Sequence, residues 1–440
     1  MSVTDFVLTQ PSIPIGIAEE FVERTFGLSV KLSPLQSERD QNFLAVDQRG
    51  GGQFVLKIAN AQTDTTLLDL ENQIMLRLSG ELEAGLIPVP SQTVLAPNSN
   101  ADPFIAELIH EKQTFGVRLV NFLPGELFSN TTPRSDALLQ DLGRRIGQIT
   151  NALEGFDHPA AYRKFHWDLD LAAETISSKD SAVGEFPELD VFLRRYRETV
   201  LKHVPKLRKS VIHNDANDNN ILVAVDWPQR ISGIIDFGDV VYSSTINELA
   251  IGVAYVMLEQ PDPLWSASQV ISGFDKEFEL TDLELSIVFE LACMRLCTSV
   301  AMAAHQRSLQ PENEYLSITD LPARNLLNKL TDVQPEYAEA FFRSACNRNP
   351  TWFGSRSPKS AVDWIVETKQ KAFPILGESL TIENVCVLDV SVSSPDCLTG
   401  DLDAFRVSEE LEQRATGRKV IGVGRYFEPR ICYQGNQFQN

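Results

Sequence analysis

The chain has 440 residues, of which 43% are hydrophobic and 22% are charged. This composition excludes a disordered chain and predicts a folded protein with two or three hydrophobic cores. The net charge of −21 disfavours binding to nucleic acid or to an anionic membrane surface. It favours cationic ligands, but it also serves solubility, so the charge alone selects no ligand.

The cysteines indicate the cellular compartment. Six cysteines are few for this length, and none forms a CxxC pair, which is typical of a reduced compartment. Cys293 and Cys297 lie four residues apart on a predicted helix, and we expect them to pack, because no set of His or Cys partners accompanies them. The first residues lack a signal-peptide pattern and no run of eighteen apolar residues occurs, so we expect a cytoplasmic protein without a membrane segment.

The first part of the chain predicts a small β-rich unit. A helix is expected over about Ile17–Phe26, and the spacing of Leu67, Leu70, Ile74 and Leu78 predicts a second. Gly50 to Gly52 should turn a hairpin. Five strands are expected, over Val30–Pro34, Asn42–Val46, Gln53–Ala59, Phe104–Ile109 and Phe115–Phe122.

The pattern becomes mainly helical after LPGE at Leu123 to Glu126. Two short strands that carry polar motifs interrupt it, and from about Ser357 the sequence is β-like and rich in turns. We therefore expect an N-lobe at 1–124, a helical C-lobe at 125–352 and a β-rich extension or linker at 353–440, with a boundary near Pro350–Ser360. Helices are expected over Asp136–Leu153, Leu189–Leu201, Thr245–Met257 and Asp282–His305.

Two polar motifs give the strongest functional signal, HNDANDNN from His213 and IIDFGD from Ile234. An aspartate followed five residues later by an asparagine, with a second aspartate after the next strand, is the order used by phosphoryl-transfer enzymes. We predict that Asp215 is the catalytic base and that His213 buttresses its loop. Asn220 and Asp236 are predicted to bind Mg²⁺, because hard cations prefer oxygen ligands.

The strand QFVLKIA predicts the nucleotide-binding face. Its alternation puts Val55 and Lys57 on the same side, so the lysine can reach phosphate while the valine packs on a purine ring. One helix later, Glu71 can hold the ammonium group, although Asp69 is a close alternative. A lone lysine at a strand edge is otherwise most often solvated, and the metal motifs decide between these interpretations.

The loop between the first two strands should cover the phosphates, and its sequence SERDQNF has no glycine. The hydroxyl of Ser37 and backbone N–H groups can cap phosphate oxygens, and Asn42 tolerates left-handed backbone geometry. A simple polar hairpin tip is the alternative.

The acceptor is predicted to be a small molecule. Only a few residues separate Asp239 from the next apolar helix, which leaves no room for the long activation loop of a protein kinase. We expect a small alcohol to bind near Glu248, Arg295 and the FHWDLD segment that contains Trp167, although each of these residues is also compatible with a helix-surface or core position.

These motifs resemble the aminoglycoside phosphotransferase and choline kinase family, in particular its hydroxylysine kinase-like members. The resemblance covers about residues 10 to 350 and rests on the motifs above together with RLVNFLPGELF and RLCTSVAMAAHQRSLQPENEYLSITD. It implies an α+β, bilobal protein-kinase-like fold that binds ATP and Mg²⁺. It also implies that Val120, Phe122 and Leu123 belong to a hinge that contacts adenine.

The implied activity is transfer of the ATP γ-phosphate to a hydroxyl of a small, amine-bearing metabolite. Two alternatives remain open, a catalytically silent nucleotide-binding module and an aminoglycoside-modifying phosphotransferase. The segment GRKVIGVGRYFEPR at Gly417 to Arg430 resembles a connector in bacterial fusions of such kinases with a zinc-peptidase-like domain and a pyridoxal-phosphate enzyme. This resemblance implies a fused or associated pyridoxal-phosphate enzyme as a partner.

Overall fold

The computed structural model describes residues 10–37, 39–81, 88–91, 102–178, 186–309 and 320–348, with three short strands near the C-terminus. Contacts between residues divide the chain into two compact units. The first consists of residues 1–171 and 206–252, and the second of residues 172–205 and 253–440. The expected division at residues 124 and 352 stays a prediction, and the boundary at Pro350–Ser360 falls outside the described residues.

The first unit contains a five-stranded antiparallel sheet in the order β1-β2-β3-β5-β4. Its core is formed by the inward-facing residues of the strands and by the apolar face of helix α1 (Ile15–Phe26). Gly51, with φ of 71°, turns the hairpin between the second and third strands, as expected for a residue without a Cβ. The strands are β1 Val30–Leu35, β2 Gln41–Asp47, β3 Gln53–Ile58, β4 Ala106–His110 and β5 Gln113–Asn121.

The sequence located all five strands to within two residues at each end, because their apolar residues alternate. Helix α2 (Thr65–Glu81) follows β3 and buries the predicted residues Leu70, Ile74 and Leu78. Leu67, also assigned to that face, is half-buried, and the adjacent Leu68 is buried in its place.

Two small sheets carry the polar motifs of the first unit. Strands β6 (Glu126–Leu127), β8 (Ile221–Val223) and β9 (Ile231–Ile234) form one, in the order β6-β8-β9. Strands β7 (Lys209–Ile212) and β10 (Val241–Ser244) pair as the other. Helix α3 (Asp136–Ala152) supports them, since the Asp141 carboxylate accepts the Ile231 N–H at 2.6 Å.

The described part of the second unit is mainly helical. The expected helix Leu189–Leu201 is shorter, because α5 ends at Arg195 and the chain continues as a π turn over Tyr196–Val200. Helix α6 begins in the first unit and ends in the second. The helices are α4 Ala172–Ser177, α5 Glu188–Arg195, α6 Ile246–Val256, α7 Pro263–Glu277, α8 Asp282–Leu309, α9 Leu321–Leu330 and α10 Pro335–Ala345.

Helix α8 is apolar and long enough over Asp282–Arg307 to span a membrane, but 89% of its most apolar 18-residue stretch is buried inside the structure. That burial is typical of a core helix. Cys293 and Cys297 lie on this helix, fully buried and unbridged, which agrees with the packing role predicted for them.

The extension expected at 353–440 is described only at three strands, β11 (Val385–Leu388), β12 (Lys419–Gly422) and β13 (Arg430–Cys432). They form one sheet in which β12 is the middle strand.

Glu290 is a buried acid in α8. Its side chain is 1% exposed, and neither carboxylate oxygen has a hydrogen-bond partner. Burial raises the pKa of Glu290 to about 7, while Arg195 opposes this shift and Glu336 adds to it. The acid is therefore protonated in the folded protein under mildly acidic conditions.

Replacing Glu290 by Gln should stabilise the protein more at pH 7 to 8 than at pH 4.5. The ordinary pKa of 4.5 applies to the unfolded chain, so the unfolded chain ionises first as the pH rises. The folded state accordingly loses stability between pH 4.5 and about 7, by roughly 1.4 kcal/mol for each pH unit in that interval. The measurement is the difference in melting temperature between variant and parent as a function of pH.

Glu198→Gln removes an exposed carboxylate of the same unit and controls for the loss of one negative charge. A difference for Glu290→Gln that stays constant across this pH range would contradict the prediction.

Candidate active site

The pairing of β8 with β9 brings two predicted metal ligands to one end of a hairpin. Ile221 pairs with Ile234, and the Ile235 N–H donates to the Asn220 carbonyl at 2.9 Å. Asn220 immediately precedes β8, and Asp236 follows β9 by two residues. Asp236 has φ of 66°, a left-handed conformation that non-glycine residues adopt mainly at turns and functional sites.

The loop between β7 and β8 fixes the predicted catalytic base. The Asn220 side-chain amide donates to Oδ2 of Asp215 at 2.7 Å and to its backbone carbonyl at 3.0 Å. Asn217 also donates to Oδ2, at 2.9 Å. Two amide nitrogens therefore hold the half-buried Asp215 carboxylate in one orientation, as a base that must meet a substrate hydroxyl requires.

His213 supports this loop through both ring nitrogens. Nδ1 accepts the backbone N–H of Asp215 at 3.2 Å, so the proton resides on Nε2, which donates to the Ile235 carbonyl at 3.1 Å. The ring is fully buried and packs edge-on against Phe237. These contacts agree with the predicted buttress rather than with proton transfer to a substrate.

Lys57 extends from β3 to Asp236. Leu56 and Ile58 are fully buried in the core of the sheet, and Lys57 between them points to the other face, as its alternation predicts. Its Nζ lies 3.3 Å from Oδ1 of Asp236 and 4.0 Å from Glu71. The lysine is thus placed beside a predicted metal ligand, where nucleotide phosphates would be bound.

The charges of Lys57 and Asp236 stabilise each other. Burial favours the neutral form of Lys57, but the carboxylates of Asp236 and Glu71 outweigh it and raise the pKa of the lysine. The positive charge of Lys57 lowers the pKa of Asp236 to about 2, against a smaller opposing effect of burial. Both groups stay charged across the physiological pH range, so Asp236 is ready to bind a cation.

The structure distinguishes the two acids considered as partners of Lys57. Asp69 instead accepts from Nε2 of His158 at 3.1 Å and from Gln73 at 3.3 Å. Glu71 lies near Lys57 and is bound at 2.7 Å by Arg118. Arg118 was not predicted as a site residue, although a charged residue within the apolar strand FGVRLV was a signal.

Arg118 holds Glu71 from the neighbouring strand. It is 1% exposed and pairs directly with Lys57 in the register of β3 and β5. Its bond to the acid fixes the carboxylate while Lys57 reaches toward Asp236.

The loop before β2 is shorter than expected. Because β2 begins at Gln41, Asn42 lies inside a strand and is absent from the left-handed residues of the described chain. Its cross-strand partner is Lys57, and its Oδ1 is buried without a hydrogen bond. The Ser37 hydroxyl accepts the Asp40 N–H at 3.3 Å and so closes the turn. A phosphate contact of Ser37 or Asn42 stays a prediction.

The predicted adenine hinge lies at the end of β5. Val120 pairs with Val55 across the strands, and the Phe122 N–H donates to the Gln53 carbonyl at 3.0 Å. Leu123 contacts β9 so closely that a Cβ at Gly233 would lie 2.7 Å from its Cδ1, so a larger residue there would displace the leucine side chain. The structure therefore brings Val55 and Val120 together and anchors the hinge on the hairpin that carries Asp236.

Glu248, predicted to contact the acceptor, binds the loop that carries Asp215. Its Oε2 accepts the backbone N–H of Asn214 at 3.1 Å, and the side chain is 2% exposed. Asn214 has φ of 66° and donates from its side chain to the Asp239 carbonyl. Glu248 thereby fixes the residue that precedes Asp215. An additional contact with an acceptor stays a prediction.

The other two acceptor residues lie in different units. Trp167 is half-buried in the first unit, against the cluster of Phe165, Ile212 and Val241. Arg295 is buried in α8 of the second unit, with its guanidinium over the Tyr255 ring. Their roles in acceptor binding stay predictions.

The residues fit a magnesium ion that also binds phosphate. Asn220 uses its amide nitrogen for Asp215, which directs its carbonyl oxygen elsewhere, and Asp236 adds a charged oxygen. Within the described residues no group of three His, Cys, Asp or Glu side chains forms a complete metal centre. A bound ion would take its other ligands from phosphate and water, which is usual for Mg²⁺.

Glu71→Gln should raise the KM for ATP by about tenfold, because it removes a charge that supports Lys57. Asp69→Asn, a change on the same helix, should leave that KM within about twofold, because Asp69 binds His158 instead. Steady-state kinetics with ATP as the varied substrate measures both. Melting temperatures show whether loss of the contact with Arg118 unfolds the Glu71 variant. An equal or larger effect of Asp69→Asn would contradict this assignment.

Two proteins of similar sequence are hydroxylysine kinases. A protein similar over most of its length is the hydroxylysine kinase of Bos taurus, 30% identical over 362 residues that cover 77% of this chain and 95% of the relative. The hydroxylysine kinase of Danio rerio is 30% identical over 353 residues, with coverage of 77% and 97%.

Solved structures show the same fold. An amicoumacin kinase in complex with AMP-PNP, Ca²⁺ and Ami aligns with a TM-score of 0.55 at 17% identity, covering 72% of this chain and 94% of its own. A microcompartment-associated aminopropanol kinase aligns with a TM-score of 0.51 at 17% identity, covering 76% and 99%. The expected α+β protein-kinase-like fold, with a β-rich N-lobe and a mainly helical C-terminal region, is confirmed.

The family comparison gives the enzyme class. The profile of the phosphotransferase enzyme family matches residues 31–278, more than half of the chain. With the relatives above, this confirms the expected class, an ATP-dependent phosphotransferase with a hydroxyl acceptor. Lys57, Asp215, Asn220 and Asp236 all lie inside the matched range. This chain belongs to the phosphotransferase enzyme family.

Proposed function

We propose that this enzyme transfers the γ-phosphate of ATP to the hydroxyl of a small amine-bearing metabolite, hydroxylysine or a related amino alcohol, with Mg²⁺ as cofactor. The main support is the Asp215 carboxylate, held at 2.7 Å by Asn220 in the same unit as the Lys57–Asp236 ion pair. The acceptor class is supported by the hydroxylysine kinase relatives.

Asp215 acts on the acceptor. Its carboxylate orients the substrate hydroxyl and takes its proton as the oxygen attacks the γ-phosphorus. A new O–P bond forms while the bond from the γ-phosphorus to the β,γ-bridging oxygen breaks. The electron pair of the broken bond stays on ADP.

Lys57 and the metal ligands act on the nucleotide. Lys57 would bind phosphate oxygens, and Asn220 and Asp236 would hold the ion through their side-chain oxygens. Bound Mg²⁺ would neutralise phosphate charge. Phosphoryl transfer depends mainly on positioning and on charge neutralisation. The fixed orientation of Asp215 and Asn220 therefore supports catalysis chiefly by positioning the reacting groups.

The acidic surplus suits a cationic acceptor. A net charge of −21 attracts a protonated amine over long distances, in a salt-dependent way. The charge is compatible with an amino alcohol, but by itself it selects no acceptor. Cytoplasmic localisation and a pyridoxal-phosphate partner stay predictions.

The function is tested by incubating the protein with Mg²⁺ and ATP and an acceptor panel of hydroxylysine, ethanolamine, choline, homoserine and an aminoglycoside. Mass spectrometry identifies the phosphorylated products. We expect phosphohydroxylysine or another phosphorylated amino alcohol, and a loss of about 10²- to 10⁴-fold in kcat for Asp215→Asn. Asp218→Asn, the same change three residues away, should keep most of the activity.

The alternatives predict other results. Nucleotide binding without turnover on any acceptor would favour a silent regulatory module, and a phosphorylated aminoglycoside alone would favour the antibiotic-modifying enzyme. Full activity in Asp215→Asn would remove Asp215 from the mechanism.

A further inference from the structure

Arg39, in the turn between β1 and β2, reaches the segment that follows β9. Its guanidinium lies 2.6 Å from Oδ1 of Asp239, although the two residues are 200 positions apart in the sequence. The Arg39 side chain is 49% exposed, whereas that of Asp239 is 11% exposed. The turn is thus attached to the hairpin that carries Asp236, and the cation stays accessible to a ligand.

The guanidinium lies next to the predicted metal site. A Cβ placed on Gly238 would be 3.4 Å from Oδ1 of Asp236 and 3.9 Å from a terminal nitrogen of Arg39. Both side chains therefore approach the same side of one backbone position. Lys57 reaches the same Asp236 oxygen from β3, at 3.3 Å. Lys57 therefore contacts the Asp236 carboxylate directly, and Arg39 approaches the adjacent Gly238 from the β1–β2 turn.

The partner of Arg39 is itself held in place. Arg163 donates to the Gly238 carbonyl at 2.7 Å and to the Val240 carbonyl at 2.9 Å, on either side of Asp239. The Asn214 side chain donates to the carbonyl of Asp239. The backbone around Asp239 is therefore fixed, and the bond from its carboxylate to Arg39 restricts the position of the guanidinium.

The Arg39 guanidinium has the chemistry of a phosphate ligand. Protein kinases cover the phosphates with a glycine-rich loop, whereas the turn SERD has no glycine. A guanidinium carries five N–H donors in a planar fork that matches two phosphate oxygens, and its bond to one carboxylate oxygen is compatible with a second anion. An arginine in this turn can supply charge and donors where other kinases use backbone N–H groups.

We propose that Arg39 binds the γ-phosphate of ATP and stabilises its charge during transfer, with Asp239 as the anchor that positions it. This assignment rests on the proposed function. It adds a third cation to Lys57 and the metal ion at the phosphoryl group, and it gives the β1–β2 turn a catalytic role.

The test compares Arg39→Gln and Arg39→Lys with Arg49→Gln. Arg49 is the matched control, because it also lies in a turn of the same sheet and forms an exposed ion pair, with Glu23 at 2.8 Å. Isothermal titration with Mg²⁺ measures the dissociation constants of AMP-PNP and of ADP, which lacks the γ-phosphate. Kinetics on an accepted amino alcohol give kcat and the KM of the acceptor, and melting temperatures check folding.

Arg39→Gln should weaken AMP-PNP binding by about tenfold or more, the usual effect of losing a charged hydrogen bond. ADP binding and the acceptor KM should change by less than about twofold, while kcat falls by at least about tenfold. Arg39→Lys should recover part of the loss, since it keeps the charge without the fork. Arg49→Gln should match the parent.

Equal losses for AMP-PNP and ADP, or values for Arg39→Gln that match those for Arg49→Gln, would overturn the role of Arg39 and leave the proposed function intact. If the parent turns over no acceptor, the difference between AMP-PNP and ADP still decides whether Arg39 contacts the γ-phosphate. A parent that binds neither nucleotide would overturn both proposals.

Discussion

The ion pair between Lys57 and Asp236 is the interaction on which the site depends. It joins the five-stranded sheet to the β8–β9 hairpin across 179 positions of sequence, at 3.3 Å. Burial lowers the pKa of a lysine side chain that is only 14% exposed, unless anionic neighbours offset it. Asp236 supplies that neighbour and is itself kept ionised by the lysine. The pair therefore keeps charged, within one unit, the cation proposed to bind phosphate and the anion proposed to bind the metal.

The loop that carries the proposed base Asp215 is held largely through its backbone. Glu248 accepts the N–H of Asn214, and His213 accepts the N–H of Asp215 while donating to the Ile235 carbonyl. Bonds to backbone groups fix the path of the chain without occupying the Asp215 carboxylate. Asn220 then fixes that carboxylate, so one residue links the proposed base to the proposed metal site. These hydrogen bonds explain why a sequence as polar as HNDANDNN forms a defined loop.

Sequence patterns predicted those features that depend on local spacing. Alternation in QFVLKIA placed Lys57 on the face opposite Leu56 and Ile58, and the order of Asp215, Asn220 and Asp236 identified the family. Helix α7 was not assigned, because buried Ser266, Ser268 and Gln269 interrupt its apolar period. An apolar pattern can identify only helices whose buried positions are apolar.

Choices that depend on distant partners were not available from the sequence. Asp69 and Glu71 lie two residues apart on the same helix, so the sequence did not decide which one pairs with Lys57. Their partners His158 and Arg118, contributed by other elements, distinguish them. Glu248 could not be separated from a substrate ligand, since its partner is a backbone N–H 34 residues away.

The central claim is that Asn220 and Asp236 bind one ion that also contacts the nucleotide phosphates. The direct measurement is the affinity for Mn²⁺, followed by electron paramagnetic resonance with and without AMP-PNP, in the parent and in Asp236→Asn and Asn220→Leu. We expect AMP-PNP to tighten Mn²⁺ binding in the parent, with phosphorus coupling to the metal, and each variant to lose about tenfold or more of that affinity. Unchanged affinity in both variants, or a metal without phosphorus coupling, would contradict the claim.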